Sequence, residues 1–175
     1  GDFYKGAKLA LTSLLMAPEF LFRVEMAEPV PAQKDQARLD GYTKAARLSF
    51  LFWDAPPDAE LMAAAKSGDI HTDAGLQKQL ARLSSSPRLE DGLRAFFTDM
   101  LQFDAFESLS KDAATYPKFS QAVADSAREQ TLKTMIDLVL TKKRDYREIF
   151  TSNETFINRP LAAVYKVPYA SNAEW

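Results

Sequence analysis

Apolar residues recur along the chain in short helix-period stretches, separated by Pro, Ser, Asp and Gly. Lys5 to Met16 carries Leu9, Leu11, Leu14 and Leu15 and predicts a first helix. Pro18 ends it, because a proline removes a helical donor, and Pro18 to Arg23 opens a second, shorter turn. Glu28 to Gln36 sets Pro29 and Pro31 among polar residues and predicts a loop. Asp40 is a candidate N-cap for a helix through Trp53, since a carboxylate there accepts orphan backbone donors. That helix is amphipathic at first and apolar on most sides after Leu48, which implies burial of its end on several faces. Ala55-Pro56-Pro57-Asp58 is a stop followed by a new start, with Asp58 and Glu60 near the positive end of the next helix dipole.

The helix Asp58 to Ser67 is expected to end at Gly68, a residue free to adopt a left-handed cap. Thr72 or Asp73 caps the next helix, which runs to about Leu83 on Leu76, Leu80 and Leu83. Ser86 and Pro87 repeat the same grammar for a helix to about Phe103, with Leu89, Leu93, Phe96, Phe97 and Met100 toward the core. Ser108 to Tyr116 is polar connection. Pro117 then starts the longest helix, to about Thr141. Its apolar stripe changes side: at about 100° per residue, Phe119, Ala122 and Val123 oppose Leu132, Met135, Ile136 and Val139. Such a helix lies between two layers or bends. One short turn at Asp145 to Phe150 and a small helix from Asn158 to Tyr165 come next, and Val167 to Trp175 shows no pattern. The expected fold is all-α, an irregular bundle of about seven or eight short helices.

Composition agrees with the pattern. The chain has 26 Ala and 20 Leu against 6 Val and 4 Ile, favouring helices over β-branched sheet. Twenty-two Lys and Arg against 24 Asp and Glu give a net charge of −2, so no strong field gathers nucleic acid or an anionic membrane. With 46% hydrophobic residues there is material for a packed core. No Cys is present, which removes disulfides, thiolate metal sites and covalent haem attachment from this chain and leaves the compartment open. No membrane span is expected, because the longest apolar run, Leu48 to Trp53, is far short of the roughly 18 residues a span needs. No signal peptide is read at Gly1 to Lys5, and a leading Gly1 without Met suggests a processed or cloned fragment.

Candidate chemistry is sparse. His71 is the only histidine, in a linker, and reads as a solvated loop residue or part of a helix cap. There is no second imidazole to share a metal, no nucleophile elbow, no phosphate loop and no Glu-x-x-His pair. Asp99 with Asp104, or Glu25 with Glu28, could form a paired-acid site or simply solvated faces. Arg47 is the more informative residue, because it lies on a helix that soon becomes apolar all round. Its guanidinium must snorkel outward or find a carboxylate, and Asp58, Glu60 and Glu129 are the available partners. Arg128 and Gln121 fall on the side that becomes the later apolar stripe. Arg47, Asp58, Glu60, Arg128 and Glu129 are therefore the candidates for structural ion pairs that hold helices in register. Lys142-Lys143-Arg144 complements a helix C-terminus. Asn153-Glu154-Thr155 matches the glycosylation triplet, and Asn153 reads as a turn residue. The aromatics from Phe50 to Phe106 read as core.

Several of these stretches together resemble a known family. Leu14-Leu15-Met16-Ala17-Pro18-Glu19-Phe20-Leu21-Phe22-Arg23-Val24-Glu25 is similar to the end of a small helical domain that precedes a larger one. Ala46-Arg47-Leu48-Ser49-Phe50-Leu51-Phe52-Trp53 with Pro56-Pro57-Asp58-Ala59-Glu60-Leu61 resembles the opening of that larger domain. Ala64-Ala65-Lys66-Ser67-Gly68-Asp69-Ile70 resembles its middle, and Asn153 through Tyr165 its end. The family is the domain of unknown function fifteen ninety-two, found in large bacterial proteins beside planctomycete-type cytochrome c modules. The resemblance implies an exported, multidomain parent that is periplasmic or extracellular, with haem held in another module. It implies residues 1–25 as the tail of the preceding domain, packed on the rest, and residues 26–175 as the main domain, ending where a next module would begin. No catalytic residues are carried over.

The expected function is a non-catalytic scaffold or interaction module of a larger exported protein, with no cofactor in this chain. Its expected partners are other modules of the same parent, a c-type cytochrome module among them. Two alternatives stand beside it. One is a hydrolase or polysaccharide-active domain using cleft carboxylates. The other is a binding module for a small polymer fragment, which would present Trp53 or Trp175 flat on the surface.

Overall fold

The computed structural model describes residues 2–31, 33–169, 172, 174 and 175. Gly1, Ala32 within the expected loop, and three residues of the tail after Val167 lie outside the described residues. Eight α-helices are formed among the described residues: α1 (Phe3–Leu15), α2 (Pro18–Leu21), α3 (Gly41–Trp53), α4 (Ala59–Ser67), α5 (Asp73–Ser85), α6 (Leu89–Met100), α7 (Gln121–Ile136) and α8 (Arg159–Tyr165). The protein is predominantly helical, as its composition requires. It folds as two compact units, the first of residues 1–50 and 55–82, the second of residues 51–54 and 83–175.

The loop expected at Glu28 to Gln36 is corrected to a small antiparallel hairpin in the first unit. Strand β1 (Ala27–Val30) pairs with β2 (Gln33–Leu39), Glu28 opposite Arg38, with a register irregularity between Pro29 and Val30. The stretch reads as loop because two prolines and a polar run hide any alternation, and proline is tolerated where a ladder is interrupted. A lone hairpin is marginal in water, and this one is anchored from outside. The Asp40 N–H donates to the Met26 carbonyl at 3.0 Å, and the Met26 N–H donates to the Thr43 hydroxyl at 2.9 Å.

Local caps set the helix ends. Asp40 accepts from the Thr43 N–H at 2.6 Å at the start of α3, and Asp58 accepts from the Leu61 N–H at 2.9 Å at the start of α4. Gly68 ends α4 at φ 78°, a left-handed value that side chains with a Cβ resist. Thr72, rather than Asp73, caps α5 by accepting from the Gly75 N–H at 3.0 Å. Leu61, Ile70, Ala45 and Leu83 are fully buried.

In the second unit, Phe97, Phe103, Leu132 and Met135 form one core cluster. Trp53 is buried there, its indole N–H donating to the Leu83 carbonyl at 3.1 Å, with the Arg88 guanidinium over the ring at 4.5 Å. Three expectations are corrected in this region. Leu51 lies exposed although the end of α3 is apolar nearly all round, and so do Phe96 and Met100 of α6. Helix α6 ends at Met100, three residues early, and Phe103–Phe106 forms a separate 3-10 turn behind a left-handed Gln102. Helix α7 begins at Gln121 rather than Pro117, because Ser120, in extended backbone, takes the capping role and accepts from the Val123 N–H.

The expected change of stripe along α7 is corrected, since Phe119 lies ahead of the helix and Ala122 is exposed, while Ala124, Leu132, Met135 and Ile136 are buried. Asp137–Thr141 winds as a π turn, closed by the Lys142 N–H donating to the Asp137 carbonyl at 2.8 Å. A π turn adds one residue to the repeat and so rotates the succeeding side chains by about 100°.

Two substitutions test this packing. A Cβ at Gly92 of α6 would stand 2.3 Å from the Phe52 carbonyl oxygen, so Gly92→Ala must push the two backbones apart. We expect it to lower unfolding free energy by about 1–3 kcal/mol in urea titrations, despite alanine's better helix propensity. The Ser49 hydroxyl is buried with no hydrogen-bond partner among the described residues. Ser49→Ala is therefore expected to be neutral or stabilising by up to about 1 kcal/mol.

Candidate functional site

The π turn builds the most site-like part of the second unit, because it widens the helix and sends successive side chains to two adjoining hollows. A polar hollow of about 220 Å³ is lined by Thr134, Asp137, Ser152, Glu154 and Thr155 around Lys142. An apolar hollow of about 250 Å³ is lined by Phe97, Met100, Met135, Val139, Tyr146 and Phe150. Leu138 and Ile149 face both and form the wall between them.

In the polar hollow two carboxylates converge on one ammonium. Lys142 Nζ lies 2.6 Å from Glu154 Oε2 and 2.9 Å from Asp137 Oδ2. Hydrogen bonding to Glu154, then to Asp137, holds the Lys142 ammonium above its ordinary pKa, and the same bond to Lys142 holds Glu154 below the usual glutamate value. A paired-acid hydrolase needs one carboxyl kept protonated near neutrality. This arrangement does the reverse to Glu154.

The rest of the Lys142-Lys143-Arg144 triplet is structural too. Lys143 turns the chain at φ 52°, the Arg144 N–H donates to the Leu138 carbonyl at 3.0 Å, and the Arg144 side chain pairs with Glu148. Asn153 is exposed, and the Glu154 N–H donates to the Ser152 hydroxyl at 3.2 Å.

The candidate ion-pair residues fall in three places. Arg47 snorkels outward and pairs with Glu25 through two bonds of 2.6 Å, not with Asp58, Glu60 or Glu129 as expected. That correction has a plain cause: Arg47 lies on the exposed side of α3, where the segment leaving α2 passes. Asp58 instead receives Arg82 of α5 in a two-pronged pair at 2.6 and 3.0 Å, with Glu60 at 3.5 Å from the same guanidinium. Glu129 receives Arg94 of α6, both bonds 3.0 Å. Arg128 makes no ion pair among the described residues, and its Nε is buried without a hydrogen-bond partner. Arg82 and Arg94 carry no distinctive pattern in the sequence, and only their contacts single them out.

His71 corrects another expectation. It sits in the 3-10 turn Asp69–His71 with its imidazole only 8% exposed, Nε2 lying 3.3 Å from Glu28 of the hairpin and Nδ1 buried without a partner among the described residues. Burial, then repulsion from Arg38 and Lys44, lowers its pKa, with Glu28 and Asp40 opposing. The two acid pairs named from sequence give no site. Glu25 and Glu28 are each occupied by an arginine, Arg47 and Arg38, while Asp99 and Asp104 are exposed. No group of three His, Asp or Glu side chains is placed to hold a metal among the described residues. Trp53 is no surface platform, because it is buried, and Trp175 is half-buried with Lys133 Nζ 5.7 Å from its ring.

Within the stretch Asn153 to Tyr165, the buried Asn158 and the ends of the segment are tied to α7 by polar bonds. Asn158 caps α8 by accepting from the Leu161 N–H at 3.2 Å and donates to the Ser126 hydroxyl of α7 at 2.8 Å. Gln130 donates to the Phe156 carbonyl at 2.6 Å and accepts from the Tyr165 hydroxyl at 2.8 Å. A family model described as PSD4, protein of unknown function (DUF1592), matches residues 39–167, about three quarters of the chain. The chain belongs to this family. No curated protein and no solved structure matches it. The DUF1592 match opens with α3, so its Trp53, Asp58 and Asn158 are seen here as a packing anchor, a cap with an ion pair, and a cap with a buried amide bond. No helix among the described residues is long and apolar enough to cross a membrane.

The Asn158 cap and the Lys142 clasp can each be tested by one substitution. Asn158→Ala removes a cap and strands Ser126, and should cost about 2 kcal/mol in chemical unfolding. Lys142→Met should return the Glu154 carboxyl, tracked by NMR, to or above the ordinary glutamate pKa. Since Glu154 is held low in the folded chain, its stabilisation is complete above the unfolded value and fades as pH falls through the lowered one. The variant should lack that acid-side loss.

Proposed function

We propose that the chain is a non-catalytic interaction module of a larger, exported, multidomain protein. The observation that carries this reading is the apolar hollow beside the π turn. Its floor is buried core, Phe97, Met135 and Leu138, while its rim is open: Phe150 is 80% exposed, and Tyr146 and Met100 are about half exposed. Two methionines give the wall an adaptable, polarisable surface of the kind protein partners use. The adjoining carboxylates are tied to Lys142, which leaves this region equipped for packing rather than for proton transfer.

The partner we propose is a neighbouring module of the same parent, an electron-transfer module of cytochrome c type being the specific case. The membership in DUF1592 and the exported, cytochrome-bearing parents that the sequence resemblance implies support that choice and a periplasmic or extracellular setting. Any haem would then belong to the partner, because this chain has no Cys to attach it.

The test is direct binding of the chain to the separately produced modules of its parent, read by surface plasmon resonance. Phe150→Ser combined with Met100→Ser should weaken binding about tenfold or more while leaving the melting temperature unchanged, since both side chains are exposed in the folded chain. Absence of binding up to high micromolar concentration, or equal binding by the double variant, would overturn the assignment.

A further inference from the structure

The single histidine of the chain stands where the hairpin β1–β2 meets the rest of the first unit. The hairpin buries none of its described residues, and two paired strands are marginal in water without outside support. Backbone donors at Met26 and Asp40 tie it to the start of α3. Glu28 of β1 ties it to the turn Asp69–His71, with its carboxylate 3.3 Å from Nε2 of the ring. That imidazole is shielded from water, so the contact is sensitive to the charge the ring carries.

A neutral imidazole has one N–H and one bare nitrogen. With the Glu28 carboxylate at Nε2, the N–H belongs there and Nδ1 is left bare, buried where no acceptor reaches it among the described residues. The bare nitrogen costs little. A second N–H placed there by protonation is a buried donor on a charged ring with nothing to receive it, which costs much more. The neighbouring acids do not make up the loss. Glu28 is already engaged by Arg38, whose Nε donates to it at 2.7 Å, and Asp40 accepts from the Thr43 N–H at 2.6 Å. Arg38 of β2 and Lys44 of α3 repel a charged ring, and Lys44 is held close by donating to the Ile70 carbonyl at 3.3 Å. On the turn itself Asp69 accepts from the Thr72 hydroxyl. Of the charged residues of α4, Glu60 lies with Lys78 and Arg82, and Lys66 is exposed. Burial, then Arg38 and Lys44, accordingly hold the ring below the ordinary histidine value, against Glu28 and Asp40.

We propose that His71 is an acid-operated latch: neutral, it holds the hairpin β1–β2 against the turn Asp69–His71, and on protonation it lets the hairpin go. The hairpin runs up to residue 39, where the DUF1592 match begins, so the latch governs how firmly the chain ahead of the family domain is tied to it. The inference uses neither hollow of the second unit, and its failure leaves the interaction reading untouched. By proton linkage, a ring held neutral in the closed state takes up its proton more readily once the hairpin is released. Closure is therefore complete above the ordinary histidine value of about 6.5 and weakens as pH falls through it.

The unaltered full chain carries the test, because its single histidine gives one ring signal in NMR. At neutral pH the ring nitrogen shifts should report the Nε2–H tautomer, and the ring should titrate below the ordinary value. Amide exchange at Met26 and Asp40, corrected for its intrinsic pH dependence, should speed up about threefold or more between about pH 7.5 and 5. That change should follow the ring's own titration curve, while Leu132 and Met135 of α7 keep their protection. His71→Gln keeps a donor toward Glu28 and cannot titrate, so it should abolish the change. Where that variant fails to fold, coincidence of the two curves in the unaltered chain decides alone. An Nδ1–H tautomer, a ring titrating at or above the ordinary value, protection at Met26 and Asp40 that is flat with pH, or an equal acid loss in His71→Gln would each overturn the proposal.

Discussion

A guanidinium drawn out of water is held best by a carboxylate, and Arg82 in the first unit and Arg94 in the second each order their unit in that way. In the first unit Arg82 of α5 reaches Asp58, which also caps α4, so one carboxylate fixes the start of one helix and the position of the next. In the second, Arg94 ties α6 to α7 through Glu129, with Glu90 holding the same side chain from its own helix. Breaking such a pair costs more than the pair is worth, because the partner left behind is an uncompensated charge in a poorly hydrated place. The Arg47–Glu25 pair is well exposed and contributes little by comparison.

The same logic separates what looks reactive from what is. Lys142 stands between Asp137 and Glu154 and satisfies both, which turns a convergence of acids into a clasp at the end of the π turn. On the other side of Leu138 and Ile149 the π turn presents only apolar surface, with aromatic and methionine side chains left open to solvent. Charges closed on one another thus lie next to an apolar surface left open to solvent.

Features fixed by neighbours in sequence are legible before any fold is known. Asp58, Gly68, Asp145 and Asn158 are expected at helix or turn boundaries and stand there, because capping needs only a side chain and a backbone group two or three residues away. Features that depend on distant partners are not legible. The hairpin is hidden because Pro29, Pro31 and the polar run of β2 lack alternation, while its anchors, Thr43 and His71, come from elsewhere in the chain. The burial of His71 and the exposure of Phe96 and Met100 are equally invisible, since periodicity marks a face without saying what lies against it.

The helical character of the chain, the caps at Asp58, Gly68 and Asn158 and the family to which it belongs were all determined by the sequence alone. Each rests on backbone preference, local hydrogen bonding or residue order. Which acid meets which arginine, where the π turn opens its two hollows, and which apolar stripes are left uncovered were decided only in the tertiary structure. A charge pair or a cavity is a meeting of surfaces far apart along the chain, and no local pattern carries the distance between them.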